Sequence, residues 1–124
     1  MQLLIGSGMK IKRGEIVLAN LEPVAGSEQG GIRPVLIIQN DVSNEYSPIT
    51  IIAPITTKIY EKTYSTNVFV ESKDSKLPKD STILLNQIRT IDKSRIKKKI
   101  SMLDEGIMNE VNLAIKVSLG LDFS

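Results

Sequence analysis

Three short stretches of this chain carry side chains suited to gripping a phosphate. In Gly26-Ser27-Glu28-Gln29-Gly30-Gly31-Ile32-Arg33-Pro34, Arg33 stands between a glycine-rich loop and an apolar run. A residue at a strand end is rigidly aimed while its loop can adapt to a ligand. Pro34 restricts Arg33 to extended backbone geometry, and the donor fork of a guanidinium matches phosphate oxygens. In Ile52-Ala53-Pro54-Ile55-Thr56-Thr57 a second apolar run ends in hydroxyl residues. A hydroxyl donor beside an Arg would make a two-point clamp. In Asn86-Gln87-Ile88-Arg89-Thr90, Gln87 and Arg89 are two apart and in a strand would share one face. Arg, Gln and Asn are the side chains that read base edges or phosphates. Each stretch also has a plain reading: a flexible loop, a strand-end Thr favoured by β propensity, and polar residues on an edge strand. The glycine-rich stretch is not a P-loop, because neither Lys-Ser/Thr nor a clear helix follows it.

Composition narrows the chemistry. The chain has 124 residues, no Cys and no His. That excludes disulfides, thiolate catalysis and zinc–sulfur sites. It also removes the usual general base near neutral pH, and with it two-histidine nucleases and Ser-His-Asp hydrolases. The acidic residues are scattered with no ligand spacing, so no metal and no cofactor is expected. The net charge of +2 is too small to establish nucleic-acid binding. However, Lys93, Arg95, Lys97, Lys98 and Lys99 are clustered, either as a solvated strand edge or as a rim that attracts phosphates. No apolar run approaches the roughly 20 residues that span a membrane. Together with the lack of Cys, this fits a cytoplasmic protein.

The elements that must position these residues are short. Strands are expected over Glu15 to Asn20, Val35 to Gln39, Thr50 to Ile55, Thr66 to Glu71, Ser81 to Leu85, Ile88 to Ile91 and Lys99 to Leu103. Loops are expected over 22–34, 58–65 and Ser72 to Asp80, and a polar turn over Asn40 to Pro48. Asp92 can cap one helical turn through Arg95. Asp104 can cap a helix whose Ile107, Met108, Val111, Ala114, Ile115, Ser118 and Leu119 recur at helical spacing, with Gly120 as its stop. Met108 and Leu119 are expected on a core or dimer face. Strands followed by one amphipathic helix give a mainly β fold, a small curved sheet or barrel with the helix packed on it. The chain divides into a single domain over 9–121, a tail over 122–124, and a leader over 1–8. The leader, which ends in Gly6-Ser7-Gly8 before Met9, reads as vector-derived or an upstream start, and it makes a poor signal peptide.

Taken together, Lys12-Arg13-Gly14-Glu15, Leu21-Glu22-Pro23-Val24, Gly26 through Asp41, Ala53-Pro54-Ile55-Thr56 and Leu85 through Asp92 resemble the MazF (PemK/Kid-type) toxins, most of all those of low-GC Gram-positive bacteria. The resemblance runs over about 9–121. It implies an SH3-like barrel with a C-terminal helix, paired as a homodimer. It also implies metal-independent, sequence-specific cleavage of single-stranded RNA, chiefly mRNA, held in check by an acidic MazE-type antitoxin. The family's active-site Arg falls on Arg33 and its active-site Thr on Thr56. Ser27, Glu28, Gln29, Gln87 and Arg89 fall at positions that would approach RNA. The RNA's own 2′-hydroxyl would attack, with Arg33 on the scissile phosphate and leaving oxygen and Thr56 on a non-bridging oxygen. The products would carry 2′,3′-cyclic phosphate and 5′-hydroxyl ends. Glu28 is a candidate base, since the pKa of Arg, above roughly 12, makes it a poor one. Two other readings stand beside this. One is a CcdB-type toxin that traps gyrase, although the chain lacks the Trp on which that family depends. The other is a non-catalytic RNA-binding barrel, although aromatics, at 4% of residues, offer little stacking surface.

Overall fold

The computed structural model describes residues 9–60 and 64–121. The proposed leader (1–8) and tail (122–124) lie outside them. Among the described residues, seven strands and three helices follow in the order β1 (Glu15–Asn20), β2 (Ile32–Ile37), α1 (Asp41–Tyr46), β3 (Ile49–Thr56), β4 (Asn67–Val70), α2 (Ser72–Ser75), β5 (Ser81–Leu84), β6 (Arg89–Asp92), β7 (Ile96–Met102) and α3 (Glu105–Leu119). The strands run β4-β5-β3-β2-β1-β7, with β6 also paired to β3. Every pairing is antiparallel. β3 is the pivot. Its first half pairs with β6, residues 52–54 pair with β2, and its last residues, Ile55 and Thr56, pair with β5. This switch of partner curls the sheet into an open, barrel-like form, as expected of a mainly β, SH3-like fold with a terminal helix.

β1, β2 and β3 are apolar on both sides. One cluster gathers Ile16, Leu36, Ile38, Ala53 and Ile55 with Val111 and Ala114 of α3. The other gathers Val17, Ala19, Leu21, Val35, Ile37 and Ile52 with Ile91 and Ile96. The unbroken run Val35 to Gln39 therefore follows from burial on both faces rather than from alternation with solvent. α3 begins where Asp104 accepts the Ile107 N–H at 2.8 Å and ends on Gly120 at φ +70°. Asp92 caps the short 3₁₀ turn Lys93–Arg95, as expected.

Several expectations need correction. The polar stretch 40–48 contains α1, capped by Asn40, and the loop 72–80 contains α2. β2 starts at Ile32, inside the expected loop, and β7 starts at Ile96, ahead of its lysines. Of the two residues expected on a core or dimer face, Met108 packs against the first cluster with Ile107 and Ile115, whereas Leu119 is 58% exposed and only the dimer half of that expectation is left for it. Among the described residues, no helix is long and apolar enough to cross a membrane.

Candidate active site

β2 and β3 pair Ile37 with Ile52, Leu36 with Ala53 and Val35 with Pro54. Continuing this register two residues outward puts Thr56 opposite Arg33. Residues opposed across an antiparallel pair project to the same face. The side-chain contacts agree. Arg33 Nη1 donates to the carbonyl of Ile55, the neighbour of Thr56, at 3.4 Å. Arg33 Nε donates to the Gly30 carbonyl at 2.7 Å. Both residues are half-buried, so each is held yet reachable. The guanidinium keeps N–H groups beyond these two contacts. The Thr56 hydroxyl oxygen accepts the Lys58 N–H at 3.2 Å, which leaves its own O–H to donate. One charged fork and one neutral donor thus stand at the ends of adjacent strands.

The five residues expected to approach RNA line a single groove of about 610 Å³. Ser27, Glu28 and Gln29 come from the β1–β2 loop, Gln87 from the β5–β6 connection and Arg89 from the first position of β6. Arg33 and Thr56 do not line this groove; Pro54, which does, stands two residues before Thr56 on β3 and pairs with Val35, two residues after Arg33 on β2. The two walls are tied together, because Gln29 N–H donates to Gln87 Oε1 at 2.9 Å. Glu28 Oε1 accepts the Ala25 N–H at 2.9 Å, which leaves its second carboxylate oxygen for other partners.

Two of these residues differ from expectation. Gln87 is not on a strand. It lies in the turn before β6, with its N–H donating to the Leu84 carbonyl at 3.1 Å, so it does not share a strand face with Arg89. Arg89 reaches the groove but spends Nη1 on the Leu21 carbonyl at 3.0 Å, anchoring the start of the β1–β2 loop. Two residues at this loop carried no such expectation. Glu22 Oε2 accepts the Gly31 N–H at 2.5 Å, and Arg95 Nη1 donates to the carbonyls of Asn20, at 3.1 Å, and Glu22. Glu22 belongs to the Leu21-Glu22-Pro23-Val24 motif, but nothing in its spacing signals a contact nine residues away.

A family model described as "PemK-like, MazF-like toxin of type II toxin-antitoxin system" matches residues 12–119. The chain belongs to this family. It is 56% identical over 111 residues to the Endoribonuclease MazF of Staphylococcus saprophyticus, covering 90% of this chain and 92% of that one. The expected likeness to toxins of low-GC Gram-positive bacteria therefore holds. Among solved structures, MazF (Form-I) from Deinococcus radiodurans superposes with a TM-score of 0.78 at 25% identity, covering 91% of this chain and 99% of that one. An endoribonuclease in complex with its cognate antitoxin, from a mycobacterial species, gives a TM-score of 0.77 at 23% identity, covering 92% and 99%. This PemK/MazF-like chain thus has the fold that its residues implied, and its match is to the MazF side of the expectation rather than the CcdB side.

Proposed function

We infer that this PemK/MazF-like chain is a sequence-specific endoribonuclease toxin that cuts single-stranded RNA, chiefly mRNA, without a metal. The observation that carries this reading is the hydrogen bond from Arg33 Nη1 to the Ile55 carbonyl, which brings the guanidinium to the end of β3, next along the chain from Thr56. The substrate brings its own nucleophile. The 2′-hydroxyl loses its proton and attacks phosphorus, and the bond to the 5′-oxygen breaks as that oxygen takes up a proton. The fragments carry a 2′,3′-cyclic phosphate and a 5′-hydroxyl. The protein's share is to hold the groups in line and to stabilise the charge that builds on the phosphorane. Arg33 grips the scissile phosphate and hydrogen-bonds the leaving oxygen, and Thr56 donates to a non-bridging oxygen. Ser27, Glu28, Gln29, Gln87 and Arg89 position flanking nucleotides along the groove, and Glu28 offers the carboxylate that takes the 2′-hydroxyl proton.

The 56% identity to an endoribonuclease supports the activity. The fold shared with a toxin bound to its antitoxin supports an acidic MazE-type antitoxin as partner. A groove shaped for a polyanion also attracts an acidic segment that folds on binding. A homodimer acting on mRNA in the cytoplasm completes the proposal.

The test is incubation of the purified protein with a long single-stranded RNA in EDTA, followed by sequencing of the new ends. Cyclic phosphate and 5′-hydroxyl ends are expected from the wild type, and no cleavage from a folded Arg33→Ala protein. Tight RNA binding without cleavage by the wild type, or full cleavage by Arg33→Ala, would overturn the assignment.

A further inference from the structure

The Arg33 guanidinium does not hold itself in place. Its Nε rests on the Gly30 carbonyl at 2.7 Å, so the direction of the fork depends on how the Gly30–Gly31 peptide is turned. That peptide is fixed at its N–H, because Gly31 donates to Glu22 Oε2 at 2.5 Å. Carbonyl and N–H at this junction point opposite ways across one rigid plane. A carboxylate that captures the Gly31 N–H therefore aims the Gly30 carbonyl.

The surroundings are built for this contact. A Cβ on Gly30 would lie 2.5 Å from Glu22 Oε2 and 2.7 Å from Val24 Cγ2, so the space that a side chain would need is taken by the carboxylate. Gly31 sits at φ +75°, a conformation open to glycine. The adjacent glycines thus answer to different demands, one to the approach of Glu22 and the other to the backbone turn. Glu22 is itself held from behind. Its N–H donates to Asn20 Oδ1 at 3.0 Å, and its carbonyl accepts from Arg95, which also holds the Asn20 carbonyl at 3.1 Å.

We propose that Glu22 is a positioning residue for cleavage: its carboxylate sets the Gly30–Gly31 peptide, and the Gly30 carbonyl sets the Arg33 guanidinium. This rests on the reading of Arg33 as the residue that grips the scissile phosphate. Glu22 touches no reacting atom. Its effect therefore belongs in the rate of the bond-breaking step rather than in RNA affinity, where loss of an exposed carboxylate would if anything tighten binding to a polyanion.

The experiment is single-turnover cleavage at one mapped site of a long single-stranded RNA, with the full-length enzyme in excess. It yields a maximal rate and a half-saturating concentration. Glu22→Ala is expected to lower the maximal rate about tenfold, in line with a misaimed catalytic group, and to leave half-saturation within about twofold. Glu22→Gln keeps a carbonyl acceptor for Gly31 and is expected to restore most of the rate. In an Arg33→Lys background, which has no Nε–H for Gly30, Glu22→Ala should add no further loss. Independently of activity, the Arg33 Nε–Hε cross-peak in a ¹H–¹⁵N spectrum should move in Glu22→Ala and hold its place in Glu22→Gln. An unchanged rate in Glu22→Ala, a change confined to half-saturation, or an unmoved Arg33 cross-peak overturns the proposal. Wild-type cleavage by Arg33→Ala would remove the underlying reading instead, whatever Glu22 does.

Discussion

At the residue scale, the site uses two donors of unequal charge, and they are separable by substitution. Thr56→Val keeps the branched shape that suits β3 and removes only the hydroxyl. If that O–H meets a non-bridging oxygen as charge develops, the rate should fall on the order of 10²–10³-fold, the usual cost of one such donor. The thermal midpoint should barely move, because Thr56 is half-buried and its hydroxyl bonds locally, to the Lys58 N–H. A Thr56→Val enzyme cutting at the wild-type rate would show the hydroxyl to be idle. Arg33 and Thr56 were each legible in the sequence as strand-end residues able to meet a phosphate. Their facing arrangement was not, because it depends on a pairing between residues more than twenty positions apart. The service of Glu22 to Gly31 was hidden for the same reason.

At the element scale, what could be read tracks how each element is stabilised. α3 has an apolar stripe, a cap and a glycine stop, all local signals, and it was legible from end to end. Its two ends can be tested by urea unfolding. Asp104→Ala should cost about 1 kcal/mol through the lost cap. Gly120→Ala should cost a similar amount, about 1 kcal/mol, because alanine must take up a positive φ. No change for either would mean that helix packing alone sets stability. α1 is not legible in the sequence because it has no apolar stripe. Among its six residues only Asn44 is buried, and polar contacts hold the helix. Asn40 caps Ser43 at 2.8 Å, and Asn44 Oδ1 accepts from Gln39 and from Thr50. Asp41 joins α1 to the segment before β1. Its carboxylate accepts the Arg13 N–H at 2.6 Å, and this backbone bond, despite some opposing desolvation, holds its proton affinity below the ordinary 3.8. The folded value is thus the lower one, so this contribution is present above about pH 4 and fades as pH falls through the folded value. Asp41→Asn should unfold with a shallower acid limb than wild type in urea titrations between about pH 3 and 5. Identical limbs would discount the contact. The first residues of β7 are hidden in the sequence for another reason. Lys97, Lys98 and Lys99 carry no β pattern, yet exposed lysines are what an end strand of a sheet tolerates.

At the scale of the whole molecule, the two apolar clusters on opposite faces of β1, β2 and β3 have a consequence for how the strands find their alignment. In a sheet with one wet face, sliding a strand by a single residue swaps greasy for polar side chains and is punished. In β2 the same slide exchanges one aliphatic residue for the next, so oil alone does not choose the alignment. The choice falls to polar anchors at the strand's far end. Gln39 Nε2 donates to Asn44 Oδ1 at 3.1 Å and to the Ile49 carbonyl at 3.0 Å, and the Arg13 side chain grips the Ile38 carbonyl at 2.8 Å. Gln39→Leu would make the core more hydrophobic and the protein worse. It should lose about 1–3 kcal/mol from stranded acceptors, and RNA cleavage should fall although the substitution lies at the opposite end of β2 from Arg33. A variant as stable and as active as wild type would mean that something else keeps the strands in step.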